Sequence, residues 1–98
     1  MQLTLKIGPL GYRIVEIPEP LGNAGEYLYG ECRNVDQEIR LDAGMTPERK
    51  RLTLIHEALH AIEDLRGLDL GEKTVIALGT AIYELLHDNP WIGETVQQ

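Results

Sequence analysis

Two histidines four residues apart, with a glutamate beside the first, make up His56-Glu57-Ala58-Leu59-His60. Residues i and i+4 of a helix lie one turn apart on the same face, so both imidazoles can reach one ion. Glu57 then stands where it can take a proton from a metal-activated water. This spacing points to metal-assisted hydrolysis. The plainer alternative is a solvated helix that carries two histidines and no metal, so the surroundings of the motif have to decide.

A zinc site of this kind needs a third protein ligand from another element and some shelter from water. On a helical wheel His60 lies about 40° from His56, and the apolar stripe Leu52, Ile55, Leu59, Ile62 is centred about 80° to the other side. The histidines therefore flank that stripe, and a following helix is the natural donor. It offers Glu72, Glu84 and His87. Glu72 follows soon after the chain reverses, where two helices must cross, and is the preferred third ligand. An acidic residue in a first helical turn also suits the helix dipole without any metal. Glu84 points about 120° further round, and His87 lies about 22 Å along the helix. Glu63 and Asp64 follow His60 closely enough to accept its outer N–H, or Glu63 could itself be a ligand. Tyr83, on the Glu72 face, is a weak candidate for oxyanion help. Two histidines and a carboxylate suit one zinc ion, although ligand type does not exclude iron or manganese.

The elements that must position these groups fall into two halves. Residues 1–42 read mainly as strands. Leu3, Leu5 and Ile7 alternate with polar neighbours, and Gly8-Pro9-Leu10-Gly11 breaks the chain. Tyr12–Ile17 reads as a second strand, Leu21–Glu26 as a loop, and Tyr27–Arg33 with Gln37–Asp42 as a hairpin turning at Asn34–Asp36. Residues 46–66 read as the motif-bearing helix, with Thr46 as N-cap, Pro47 at the first position and Gly67 as the stop. A second helix is expected over 71–87, with Val75, Leu78, Ile82 and Leu85 facing the core, and residues 88–98 as a loosely held tail. The fold class is α+β: a small N-terminal antiparallel sheet of three to four strands packed on two C-terminal helices, in one domain over 1–98.

Composition bounds the rest. With 98 residues, no Phe and one Trp, the core must be small and mostly aliphatic. Nine basic residues against sixteen acidic ones give a net charge of −7, which argues against a nucleic-acid or anionic-membrane partner. Arg49-Lys50-Arg51 reads as a solvated first helical turn. No stretch reaches the roughly 18 apolar residues of a membrane span, and the N-terminus lacks a signal-peptide pattern. Cys32, the one cysteine, has no partner for an internal disulfide and reads as a buried small hydrophobe. A reducing, cytoplasmic setting is expected.

The stretch Arg51-Leu-Thr-Leu-Ile-His-Glu-Ala-Leu-His-Ala61 resembles the active-site helix of zincin metallopeptidases of the gluzincin-like kind. It is most similar to the ImmA/IrrE-type enzymes and the compact phage- and prophage-encoded proteins related to them. Leu70-Gly-Glu72-Lys-Thr-Val75-Ile-Ala-Leu78, ending in Leu86-His-Asp-Asn-Pro90, resembles their following helix. The likeness covers roughly residues 36–90. It departs where better-known members carry Glu-x-x-Ala-Asn, which here is Glu72-Lys-Thr-Val-Ile. The resemblance implies Glu72 as third ligand and an edge strand before the motif helix that pairs with an extended substrate, a role falling by position on Glu38-Ile39-Arg40-Leu41. It also implies a helix-turn-helix repressor as a candidate substrate, by analogy alone.

Together these readings lead to a zinc-dependent endopeptidase acting on a protein or peptide, with Glu57 as general base. A non-catalytic metal-binding or protein-interaction module of the same fold is the second expectation. A small interaction domain without metal is the third.

Overall fold

The computed structural model describes residues 3–18 and 29–94 of the chain. Strands β1 (Leu3–Ile7) and β2 (Leu10–Ile17) form an antiparallel hairpin closed by Gly8 and Pro9, with Ile7 opposite Leu10. Strands β3 (Gly30–Arg33) and β4 (Glu38–Asp42) form a second hairpin around residues 34–37. The expected loop at Leu21–Glu26 and the first residues of the expected strand at Tyr27 lie outside the described residues.

The four strands join in the order β1-β2-β4-β3, followed by two helices, so the α+β class expected from the sequence is the one observed. The sheet is mixed and not wholly antiparallel, because β2 and β4 run parallel, with Ile14 beside Ile39. A parallel neighbour needs a crossover and cannot be made by a tight hairpin. Here β3, although earlier in the chain, lies at the outer edge, and β4 falls between it and β2. Glu38–Leu41 is therefore an interior strand, and β3 is the edge strand among the described residues.

Alternation along the strands sends one set of side chains to the first helix. Ile7, Tyr12, Ile39, Leu41, Met45 and Ala61 form the buried core, with Leu5, Leu10, Ile14, Cys32 and four side chains of the first helix packed around it. Tyr12 and Cys32 both donate to Asn34 Oδ1, at 2.8 and 3.3 Å, so the polar tips of this apolar face are satisfied. The other face is charged. Glu38 sits between Arg13, at 3.2 Å, and Arg40, at 2.6 Å.

Helix α1 spans Pro47–Arg66. Thr46 Oγ1 accepts from the Arg49 N–H, Pro47 opens the helix, and Gly67 closes it in the left-handed region at φ 66°. Against the expected stripe, only Ile62 joins the core, along with Leu54, Ala58 and Leu65. Leu52 and Leu59 face α2 (Glu72–Asp88), where a Cβ added at Gly79 would lie 3.7 Å from Leu59 Cδ1. The single-stripe reading fails because α1 is covered twice, by the sheet on one side and by α2 on another. Among the described elements, helix α2 packs on α1 and on the short 3₁₀ turn Pro90–Gly93 that follows it, and on no strand. Val75 and Gly79 are buried there, whereas Leu78 and Leu85 of its expected stripe are exposed. The 3₁₀ turn occupies part of the expected tail, and residues 95–98 lie outside the described residues. No described helix is long and apolar enough to cross a membrane.

Candidate metal centre

The motif lies mid-way along α1, where the helix is wedged between β3 and α2. Gly67 ends α1 and Gly71, at φ 85°, starts α2, so Glu72 enters the new helix directly opposite the histidine face. Its carboxylate spans both rings: Oε1 is 2.7 Å from His56 Nε2 and Oε2 is 3.1 Å from His60 Nε2. The two Nε2 atoms are 3.3 Å apart. One ligand atom from each residue lies within 4.8 Å of the others, the geometry of a group that could hold a metal ion.

Two features of the donor set fit a tetrahedral cation. Nitrogens bound at about 2.0–2.1 Å on a tetrahedral ion stand roughly 3.3 Å apart, which is the separation seen here. His60 also faces a carboxylate at each nitrogen, Glu63 Oε1 at Nδ1 (2.8 Å) and Glu72 at Nε2. A neutral imidazole has a single N–H to donate, so satisfying both contacts takes one further proton or a cation at Nε2. Glu63 is itself fixed, because its Oε2 accepts from the Leu70 N–H at 2.8 Å. That backbone hydrogen bond, and then the His60 contact, hold its carboxyl below the ordinary range. Glu63 thus orients His60 from behind, while Asp64 is exposed.

Glu57 turns to the other side of the motif, toward the sheet, and is only 8% exposed. Burial raises its pKa, the two histidines pull it back in part, and Glu72 and Glu31 push it further up. The edge strand passes close by. A Cβ on Gly30 would meet Thr53 Cγ2 at 2.6 Å, the Arg40 carbonyl oxygen at 3.2 Å and Glu57 Cγ at 3.3 Å, so the glycine is what lets β3 lie against α1. Cys32, further along β3, has its thiol pushed up to about 11 by burial, with the nearby carboxylates Glu57, Asp64 and Glu31 adding to it.

These groups open into a cavity of about 510 Å³, lined by the two histidines, Glu57 and Glu72 and walled by Leu52, Thr53, Ile76, Gly79 and Thr80. Gly30 and Tyr29 flank it on the strand side, and Arg49 closes the far end. Arg49 is exposed, as expected of a solvated first turn, and still borders the cavity. Its place seven residues before His56, on the same face, was the available signal for that position. Lys50 instead pairs with Glu16. Glu84 is exposed and does not line this cavity. Tyr83 is also outside it, stacked on His87 with ring centroids 5.7 Å apart in a smaller groove with Ile55 and Leu86. An oxyanion role for Tyr83 therefore has no geometric basis, and neither Glu84 nor His87 approaches the histidine pair.

Compared with family models, with curated proteins and with solved structures, the chain finds no match in any of the three.

Proposed function

We propose that this chain is a zinc-dependent endopeptidase of zincin type, in which His56, His60 and Glu72 hold one ion and Glu57 is the general base. The convergence of two Nε2 atoms and a carboxylate at one end of a 510 Å³ cavity is the observation that carries the reading. When bound, zinc would polarise a peptide carbonyl and bring the pKa of a water toward neutrality. Glu57 takes the proton that this water loses as its oxygen bonds to the carbonyl carbon. It returns the proton to the amine nitrogen as the C–N bond breaks. A carboxylate with a raised pKa is a stronger base for that transfer.

An extended substrate would lie along β3, whose outer edge is unpaired among the described residues and whose Gly30 borders the cavity. The likeness of residues 51–61 to phage-related zincins makes a helix-turn-helix repressor the first protein substrate to try, in the cytoplasm, where a free Cys32 would stay reduced.

One observation favours the second reading, a non-catalytic interaction module. Ile76, Leu78, Leu85 and Leu86 are exposed along α2, more apolar surface than a short helix usually leaves to water. A single substitution separates the two. Glu57→Gln should keep zinc at the wild-type level and lower cleavage by at least about a hundredfold, measured on a repressor panel. Undiminished turnover in this variant would remove Glu57 from the mechanism.

A further inference from the structure

Arg49 lines the metal cavity but is not needed by the hydrolytic reading. It lies seven residues before His56 on the same helical face, so the two Cα atoms are about 10 Å apart along the axis. An extended peptide advances about 3.3 Å per residue. A group held by Arg49 therefore belongs to a residue about three positions from the bond over the metal site. The Arg49 guanidinium carbon is 4.5 Å from the centroid of the Tyr29 ring, at the entrance to β3. That cation–π contact holds the guanidinium over the Tyr29 ring beside the cavity. Arg13, Arg33 and Arg40 each pair with a carboxylate; among the described residues no ion pair engages Arg49, Arg51 or Arg66, and of these three only Arg49 borders the metal cavity. Of the cavity's other charged side chains, Glu57 and Glu72 would balance a divalent ion, which leaves the Arg49 charge over.

We infer that Arg49 is a specificity residue that receives a substrate carboxylate, so that the enzyme proposed above acts on acidic peptides. The planar fork matches a carboxylate with two parallel hydrogen bonds. That carboxylate is either an Asp or Glu side chain or the C-terminus of the peptide. The inference rests on the peptidase reading and specifies its substrate class.

The test is binding of fluorescein-labelled nonapeptide pools to zinc-loaded Glu57→Gln protein, read by anisotropy. One end-capped pool fixes a glutamate, its twin fixes glutamine at the same place, and a third has a free C-terminus. The account expects the glutamate or the free-terminus pool to bind at least about fivefold tighter than the glutamine pool, the size of one partly exposed ion pair. Arg49→Gln should abolish the preference, Arg49→Lys should keep part of it, and Arg49→Glu should transfer it to a lysine-bearing pool. Whichever carboxylate pool is preferred identifies the source. Equal binding of all pools, or a preference that survives Arg49→Gln, overturns the assignment. Zinc content on the same samples keeps the two readings apart. Zinc retained without a charge preference refutes Arg49 alone, and zinc absent from the parent protein refutes the metal site and this inference with it.

Discussion

At the residue scale, the His60 ring has a carboxylate at each nitrogen, and the two carboxylates have different anchors. Glu63 is tied to the Leu70 backbone, one turn beyond α1, whereas Glu72 reaches in from the mouth of the cavity with more than half of its side chain exposed. In the metal site proposed above, such an arrangement would give Glu63 the work of fixing the tautomer and Glu72 the work of binding. Glu63→Gln should therefore leave the fold intact and weaken zinc affinity by roughly ten- to a hundredfold, measured by competition with a chromophoric chelator. An unchanged affinity would show that His60 is oriented by the helix alone. The convergence of His56 and His60 was legible from their spacing, and that of Glu72 from its position after the reversal. The choice between Glu63 and Asp64 was not, because it depends on the Leu70 N–H, which comes into range only once Gly67 has turned the chain.

At the scale of elements, helix ends were written plainly: Thr46-Pro47 starts α1 and Gly67 stops it, each by a local hydrogen bond or a local φ. Strand order was not written locally. Glu38-Ile39-Arg40-Leu41 has the alternation of a half-buried strand whether it lies inside a sheet or at its edge, and the parallel pairing with β2 depends on how the chain crosses. The stripes of both helices were misjudged for a related reason, since periodicity counts apolar faces without saying which neighbour each one meets. The β3–β4 turn also carries the one positive φ of a non-glycine described residue, 51° at Gln37. Its carbonyl accepts from the Arg13 N–H, so the conformation is held by the sheet. Relieving it with Gln37→Gly should raise stability by about 1 kcal/mol, measured by urea denaturation, because a side chain in the left-handed region costs roughly that much. A loss of stability would mean that the side chain itself contributes to the turn.

At the scale of the whole molecule, the sheet and α1 share a core, while among the described elements α2 docks on α1 and on no strand, with Val75 and Gly79 buried. An ion bound by His56, His60 and Glu72 would join the two helices at the start of α2, one turn before the buried Val75. Chelation should therefore speed amide hydrogen exchange in α2 and leave β4 and the sheet side of α1 protected. Equal exchange with and without chelator would show that α2 is held by packing.

All of this stands on the metal, and zinc content is the measurement that meets it most directly: elemental mass spectrometry of the purified protein beside His60→Ala and Glu72→Ala. About one zinc per wild-type chain, lost or weakened in both variants, is the predicted result. Wild-type protein that neither carries nor takes up zinc, or variants that bind it as well as wild type, would contradict the account.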